Sequence, residues 1–398
     1  PRERQEICTL VYYPTEKIKL FKKQNAVTPY WYKINLKNLT ELAKFLSSKY
    51  TRSKVRKALP SEFSYIIDEL LHAQQDEDNN QYVYHEKILD TIIDIDSADA
   101  FIEALSTLIK RLAVDHLHIV GDIYDRGPSA DKIMDLLITH HSVDIEWGNH
   151  DILWMGAACG NEACIANVLR NNLKYDNIEI LENTYAISLR SLTLFAEQTY
   201  PDMRPMDAAL KAISVILFKL EGQIIMRHPE YDMVDRLLLD KIDKERGAVR
   251  IGSQEYELND CYFPTIRTND AYALSAEEQH VIDDLRAAFV NSHMLRKHVR
   301  FLYENGSTYM CYNGNLLFHG CIPMTEDGEF ASMRLDGRDY KGKEYMDYAA
   351  KVARRAFFGN FNQSDIDFMW YLWCGKKSPL AGRTMKTFER TFVVDEST

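Results

Sequence analysis

The sequence lacks any long apolar run. No stretch of its 398 residues approaches the roughly 18 to 20 uninterrupted apolar residues that a membrane-spanning helix requires. The first six residues are mostly charged and do not contain the apolar segment of a signal peptide. The chain also lacks an initiator methionine, so we expect that it does not begin where its gene begins. The absence of a long apolar run disfavours a membrane-embedded protein.

Cysteines are few and scattered. The seven occupy positions 8, 159, 164, 261, 311, 321 and 374, and no pair has Cys-x-x-Cys spacing. An odd count without that spacing disfavours a disulfide framework or a zinc ribbon. The cysteine pattern therefore predicts a reducing, cytoplasmic compartment.

Basic residues are in deficit and repeats are absent. The chain has 48 Lys and Arg against 59 Asp and Glu, which gives a net charge of −11. This balance disfavours a dedicated nucleic-acid binder, and any phosphate chemistry has to depend on local positive charge. We find no internal repeat, low-complexity tract or Gly/Ser linker. The composition, with 46% apolar and 27% charged residues, is that of a globular protein, and the length predicts two or three structural units.

Two short apolar runs, each ending at a glycine, predict a strand–helix–strand unit. The first strand covers 117–120 and breaks at Gly121. A helix follows over about 129–141, and the second strand covers 143–147 and breaks at Gly148. Such a unit is expected to place the two strands parallel, with a right-handed crossover. The polar residues after both strands then lie at one edge of the sheet, where open α/β sheets bind ligands.

The residues after these strands suit metal-assisted phosphoryl transfer. The carboxylate of Asp122 can bridge two hard cations, and Asn149 offers a neutral oxygen ligand. Arg126 presents a planar fork that matches phosphate oxygens. His150 is suited to protonate a leaving alkoxide, with Asp125 fixing the orientation of its ring. The two motifs together predict a metal-dependent phosphoesterase site.

The stretches Gly-Asp-Ile-Tyr-Asp-Arg-Gly at 121–127 and Gly-Asn-His-Asp at 148–151 resemble the central motifs of calcineurin-like metallophosphoesterases. Further stretches resemble the class III fructose-1,6-bisphosphatases of Firmicutes and Bacteroidetes. They are 50–60, 114–120, 312–323, 370–373 and 387–390. The resemblance covers nearly the whole chain.

The resemblance implies an α/β fold with a four-layer α/β/β/α metallophosphoesterase core and large helical insertions. It implies hydrolysis of the 1-phosphate of fructose 1,6-bisphosphate in gluconeogenesis, with two divalent cations, usually Mn²⁺. It also implies roles for individual residues. Asp122 is the bridging ligand and Asn149 and His319 are ligands of one metal. His150 is the acid, Asp125 its orienting partner and Arg126 the phosphate clamp.

We expect five segments along the chain. They are a helical segment at 1–111, the first part of the α/β core at 112–160, a mainly helical insertion at 161–300, a core β-hairpin with further strands at 301–335, and a helical segment at 336–398. The hairpin is predicted because Asn313-Gly314 separates two β-rich runs.

Two parts of the family pattern do not occur in this chain. Related enzymes have an Asp-x-His block before the first motif and a Gly-His block after His319, and the 398 residues contain neither. We therefore expect one metal position to keep only Asp122, and the chain alone to be impaired or inactive unless other polypeptide completes it. The expected partners are a sugar bisphosphate and the missing N- and C-terminal pieces, with a homo-oligomer left open and no nucleic acid or membrane.

A basic run without acidic residues extends over 49–60. One interpretation is a solvated helix face. The other is that Arg52 and Arg56 bind the second phosphate of a bisphosphate or an anionic effector.

Two other functions remain open alternatives. The same core motifs also serve phosphoprotein and dinucleoside polyphosphate phosphatases. The absent ligand blocks are in turn compatible with a non-catalytic binding or regulatory chain.

Overall fold

The computed structural model describes residues 2–71, 79–383 and 385–394. The chain divides into two compact units, Pro1–Leu117 and His118–Thr398. The fold is mixed α/β, mostly helical, with small sheets. None of the described helices combines the length and the apolar character that a bilayer span requires.

The first unit is helical, as the sequence predicts for 1–111. α3 and α7 pack against each other at its centre, and the buried side chains of α7, such as Phe101, Leu105 and Leu108, recur at helical spacing. Its helices are α1 (Arg2–Tyr12), α2 (Pro14–Lys23), α3 (Pro29–Ser47), α4 (Arg52–Ala58), α5 (Ser64–Leu71), α6 (Asn79–Asp94) and α7 (Ala98–Ala113).

Within the described residues, the second unit contains ten α-helices. Four further helical turns, one of π-helix and three of 3-10 helix, lie between them. The helices are α8 (Ala130–Thr139), α9 (Asn149–Ala158), α10 (Glu162–Lys174), α11 (Arg190–Thr199), α12 (Pro205–Arg227), α13 (Ala276–Asn291), α14 (His293–Asn305), α15 (Gly342–Phe358), α16 (Gln363–Cys374) and α17 (Glu389–Phe392). The turns are Ile180–Thr184, Pro229–Tyr231, Val234–Arg236 and Leu239–Lys241.

Within the described residues, ten short strands form four small sheets. The strands are β1 (Leu117–Ile119), β2 (Val143–Glu146), β3 (Ile242–Asp243), β4 (Ala248–Ile251), β5 (Gln254–Glu257), β6 (Gly306–Ser307), β7 (Tyr309–Tyr312), β8 (Asn315–Phe318), β9 (Met333–Leu335) and β10 (Arg338–Tyr340). The sheet that carries the two motifs has the order β1-β2-β6, in which β2 and β6 are parallel. The other sheets are β3-β4-β5, β7-β8 and β9-β10.

The strand–helix–strand prediction is confirmed, with shifted boundaries. β1, α8 and β2 follow one another, and β1 and β2 are neighbours in one sheet. The helix is shorter than predicted: it begins after Ser129, whose side chain makes no capping hydrogen bond, and ends before His140. Both motifs therefore follow adjacent strands.

The predicted hairpin is confirmed as β7-β8, with Tyr312 opposite Asn315 across the turn. Gly306 and Ser307, however, belong to another sheet, where Gly306 pairs with Ile145 of β2. A Cβ at Gly306 would lie 2.3 Å from Nε1 of Trp147. This glycine therefore lets β6 approach the buried end of β2, a long-range contact without a local sequence signal.

The mainly helical insertion predicted for 161–300 contains the antiparallel sheet β3-β4-β5 as well as helices. Its helices α10 and α12 pack against each other, and α10 also packs against α9. Because α9 begins at Asn149 and α10 borders it, this insertion supplies part of the environment of the second motif.

A hydrogen-bonded network holds the end of α12 to α16. Nε2 of His228 lies 3.0 Å from Oδ2 of Asp367, and Nδ1 lies 2.8 Å from Oε1 of Glu230. The guanidinium of Arg227 donates to both carboxylate oxygens of Asp367. Burial lowers the pKa of His228, but the hydrogen bonds to Asp367 and Glu230 outweigh it, so the pKa is raised.

We expect this histidine to make stability depend on pH. Because its pKa is higher in the folded than in the unfolded chain, its contribution is complete below the unfolded pKa of about 6.5 and is lost as pH rises through the folded pKa. His228→Gln should therefore flatten the fall of the unfolding free energy above that pH, as measured by denaturant unfolding at several pH values. His280→Gln, whose ring is 75% exposed, is the control. Equal slopes for both variants would contradict this role.

Candidate metal and phosphate site

The first motif turns sharply at the end of β1. Gly121 and Asp122 both adopt left-handed backbone conformations, with φ of 82° and 57°. Glycine takes this conformation without strain, and Asp is among the few other residues that enter it readily. The turn carries the carboxylate of Asp122 to the start of α9, where Oδ1 accepts a hydrogen bond of 3.0 Å from the backbone N–H of His150.

The two motif loops lie in contact, and two glycines make this possible. A Cβ on Gly121 would lie 2.5 Å from the backbone nitrogen of Gly148. A Cβ on Gly148 would lie 2.2 Å from Oδ1 of Asp122 and 2.4 Å from its backbone nitrogen. No side chain fits at Gly148 without moving the metal-ligand candidate Asp122, and none fits at Gly121 without moving the backbone of Gly148.

Asp151 joins the two loops, a role that the sequence did not suggest. Its fully buried carboxylate accepts hydrogen bonds from the backbone N–H groups of Asp122, Tyr124 and Gly148 at 2.8, 3.2 and 2.9 Å. Burial raises its pKa to about 6, although these donors act in the opposite direction. Its position in the first turn of α9 is the local signal for the bond to Gly148, but the other two bonds depend on the fold.

His319, which follows β8, lies beside Asp122. Its Nδ1 is 2.6 Å from the carbonyl oxygen of Val120, and its Nε2 is 3.4 Å from Oδ2 of Asp122. The hydrogen bond with Asp122 raises the pKa of His319 to about 9. Burial raises the pKa of Asp122, but His319 and the hydrogen bond from the backbone of His150 together outweigh it, so that the pKa of Asp122 is lowered. A metal-ligating histidine typically forms a hydrogen bond to a backbone carbonyl through the ring nitrogen that does not bind the metal. In His319 that nitrogen is Nδ1, and Nε2 faces the carboxylate of Asp122.

His150 lies between Asp125 and Trp373. Its Nε2 is 3.1 Å from Oδ1 of Asp125, and its ring meets that of Trp373 edge to face at 4.8 Å between centroids. Burial lowers the pKa of His150 more than the carboxylates of Asp122 and Asp125 raise it. Trp373 lies in the stretch 370–373 that carries part of the family resemblance, but nothing in the sequence indicates its contact with His150, which is 223 positions earlier in the chain.

Arg126 extends from the first motif towards solvent. Its Nε donates to Oδ1 of Asp125 at 3.2 Å, and its guanidinium lies 5.4 Å from the ring centroid of Tyr175. The Arg126 side chain is 57% exposed. The guanidinium is therefore held by Asp125 and an aromatic face while its remaining donors are accessible to an anion.

The residues fit a divalent cation. Two possible ligand atoms, Oδ2 of Asp122 and Nε2 of His319, lie 3.4 Å apart. Asn149, at the first position of α9, carries a buried amide. Oxygen and imidazole donors of this kind suit Mn²⁺ or a similar metal. Asp122, Asp125 and His150 also form a group whose ligand atoms lie within 4.8 Å of one another. Asp122 belongs to both arrangements, and the direct contact between Asp125 and His150 also fits an acid that is held by a carboxylate.

All six residues that the sequence predicted in the motifs and after β8 line one cavity of about 510 Å³. They are Asp122, Asp125, Arg126, Asn149, His150 and His319. Three basic residues that also line this cavity were not predicted as site residues from the sequence. They are Arg170, Lys174 and Arg390. Arg52 and Arg56 lie on α4 of the other unit, where Arg56 is 3.4 Å from Asp68.

The carboxylate, amide, imidazole and guanidinium groups that line this cavity are of the kinds that metal-assisted phosphate transfer uses. The sequence profile of the family described as Firmicute fructose-1,6-bisphosphatase matches residues 1–398. The chain belongs to this family, which confirms the resemblance seen in the sequence.

Relatives with curated names agree. The chain is 49% identical to class 3 fructose-1,6-bisphosphatases of Clostridium beijerinckii and Clostridium novyi and 48% identical to that of Clostridium tetani. Each alignment covers 100% of this chain and 63% of the relative, so the chain spans less than two thirds of the length of these relatives. No solved structure matches the chain.

Proposed function

We propose that this chain carries the active site of a metal-dependent phosphatase that hydrolyses the 1-phosphate of fructose 1,6-bisphosphate, giving fructose 6-phosphate and phosphate. The convergence of the six predicted residues in one cavity, in a chain of this family, carries the proposal. The proposed place in metabolism is gluconeogenesis.

The proposed roles follow from the contacts. Asp122, Asn149 and His319 would hold a divalent cation, with Mn²⁺ as the proposed metal. When bound, the cation supplies charge neutralisation of the phosphate and activation of water. Arg126 binds phosphate oxygens through the donors that Asp125 does not use. His150 gives a proton to the leaving alkoxide, and its lowered pKa makes the protonated ring a stronger acid.

Asp125 and Trp373 are positioning residues in this proposal. Asp125 holds Nε2 of His150, and the edge of the ring contacts Trp373, so both the tautomer and the ring plane of His150 are restricted. Asp151 holds the two loops that carry Asp122 and His150.

We further propose that β1-β2-β6 belongs to a four-layer α/β/β/α core, and that ligands absent from this chain complete a second cation position. The support is that the 398 residues contain neither Asp-x-His nor Gly-His, the two blocks that the family resemblance leads one to expect. Association with pieces that carry those blocks, or with a second copy, is part of this proposal. The proposed compartment is the cytoplasm, and all seven cysteines are free thiols.

A phosphate-release assay tests the proposed function. An intact-mass spectrum first establishes which polypeptides the sample contains. The chain with Mn²⁺ is then assayed, alone and with any co-purified pieces, on fructose 1,6-bisphosphate, a phosphopeptide and a dinucleoside polyphosphate. We expect preferential release from the sugar bisphosphate. Faster turnover of either other substrate would overturn the proposed substrate, and no turnover by any complete preparation would favour a binding chain.

Arg52 and Arg56 remain a hypothesis for binding an anionic effector or the second phosphate. We expect replacement of both with Ala to raise KM by about 10-fold or more with little change in kcat, because a hydrogen bond to a charged group contributes about 1.5 to 3 kcal/mol. Initial-rate kinetics over a range of substrate concentrations measure this. Glu62→Ala, on the segment that follows α4, is a control for a charge change near the same run. An unchanged KM would discard the substrate role.

A further inference from the structure

One face of α10 forms a polar wall of the cavity. Asn167, Arg170, Asn171 and Lys174 all line it, and their spacing of three and four residues places them on one side of the helix. Two of the four are cations and none is an acid. The wall formed by the two motifs, in contrast, carries the carboxylates of Asp122 and Asp125.

Arg170 is a buried cation without a carboxylate partner. It is 7% exposed. Its Nη2 donates to Oγ1 of Thr391 at 2.7 Å, and its Nε has no hydrogen-bond partner in the described part of the chain. The carboxylate with the strongest effect on it is Glu221, but Glu221 forms its own ion pair with Arg236 at 3.1 Å. Within the described residues, no carboxylate lies close enough to pair with Arg170.

This arrangement is costly for the fold alone. Burial of a charged group without an opposite charge is unfavourable by several kcal/mol, and an unsatisfied buried donor adds to that cost. Burial also lowers the pKa of Arg170, although a guanidinium stays charged at neutral pH. A hydrophobic residue of similar length would serve packing better, so the charge points to a ligand that enters the cavity.

Further cations stand near the same end of the cavity. Lys174 and Arg390 line it and are exposed, and Lys386 lines it from the segment before α17. This concentration of positive charge is unexpected in a chain with a net charge of −11. A guanidinium and an ammonium group beside each other are well suited to a phosphate dianion.

We propose that Arg170, Lys174 and Arg390 form the subsite for the second, non-reacting phosphate of the bisphosphate substrate. The inference rests on the proposed function, which places the reacting phosphate at Asp122, Arg126 and His150. The cavity then binds a doubly phosphorylated substrate, with the non-reacting phosphate at these three side chains and the reacting phosphate at the motif residues. This subsite competes with Arg52 and Arg56 for the role of binding the second phosphate, and KM of the two sets of variants decides between them.

Binding in the absence of turnover tests the subsite by itself. Calorimetric titration of the chain with fructose 1,6-bisphosphate in EDTA compares wild type, Arg170→Met, Lys174→Met and Lys351→Met. Lys351 is an exposed residue of α15 and serves as the control. We expect about 10- to 100-fold weaker binding for Arg170→Met, a smaller loss for Lys174→Met and none for Lys351→Met. Wild type that does not bind, or Arg170→Met that binds like wild type, overturns the subsite.

Thermal unfolding separates a ligand-binding role from a structural one. If the Arg170 charge serves the ligand, Arg170→Met keeps or raises Tm without ligand, because an unpaired buried charge is removed. It also loses the rise in Tm that the bisphosphate gives wild type. A large fall in Tm without ligand would identify Arg170 as a structural residue and overturn the proposal. Lys174→Met, at an exposed position, reports on the subsite without this concern.

Kinetics distinguish failure of the subsite from failure of the proposed function. In a preparation that hydrolyses phosphate esters, Arg170→Met should lower kcat/KM for fructose 1,6-bisphosphate at least 10-fold, mainly through a higher KM. For p-nitrophenyl phosphate, which has no second phosphate, kcat/KM should stay within 2-fold of wild type. If kcat/KM falls equally for both substrates, the subsite is overturned and the proposed function stands. If the bisphosphate binds in EDTA in a manner that depends on Arg170, but no ester is hydrolysed, the subsite stands and the proposed function is overturned.

Discussion

Asp122→Asn is expected to lower kcat/KM by at least about 1000-fold and Mn²⁺ affinity by about 100-fold. The amide keeps the shape of the side chain and can still accept the hydrogen bond from the backbone of His150. It removes the negative charge that pairs with His319 and that a cation needs. Asn also tolerates the left-handed backbone at this position, so the change isolates the charge. Titration with Mn²⁺ and phosphate-release kinetics measure the two effects.

Asp96→Asn is the matched control. Asp96 has φ of 58°, close to that of Asp122, but lies exposed in the first unit. We expect it to behave like wild type in both assays. Retention of Mn²⁺ affinity by Asp122→Asn would remove Asp122 from the metal site, whereas loss of affinity in both variants would point to a general effect of the substitution.

Gly148→Ala is expected to destabilise the protein by about 1 to 3 kcal/mol, as overpacking of a tight contact does. It should also reduce activity by at least about 100-fold, because Asp122 has to move away from the added methyl group. The backbone of Gly148 has φ of −82°, which Ala adopts freely, so the cause is the contact with Asp122. Denaturant unfolding and phosphate-release kinetics measure the two losses.

Gly127→Ala separates this contact from a generic effect of glycine replacement. Gly127 ends the first motif, and a Cβ there would meet no atom within 4 Å. We expect a change within about 0.5 kcal/mol in stability, as at ordinary surface positions, and nearly unchanged activity. If both alanine variants retained activity, the close approach of the two loops would not be needed for function.

These two predictions share a physical basis, namely that the site is held by backbone geometry. Asp122 is fixed by its left-handed turn, by the N–H of His150 and by the bond between its own N–H and Asp151. Most of these contacts use backbone groups, which cannot be removed by a side-chain change. The glycines and Asp151 are therefore the positions at which substitution is expected to displace the ligand candidates.

The sequence alone determined the local parts of this protein. Apolar runs that break at Gly121 and Gly148 predicted β1, α8 and β2, and Asn313-Gly314 predicted the hairpin β7-β8. These features depend on neighbours in the chain, such as side-chain periodicity and turn residues, and a sequence displays them directly. The motifs that follow the two strands also identified the candidate site residues.

Only the tertiary structure decided which distant residues join those motifs. The family resemblance had already suggested His319 as a ligand together with Asp122, but only the fold shows that Trp373 contacts His150 and that α10 brings Arg170 to the same cavity. The placement of Gly306 beside β2 likewise had no local signal. Such contacts are set by the packing of whole helices and strands rather than by residue spacing. For that reason the sequence suggested the chemistry of the site, whereas the fold showed which other residues line the same cavity.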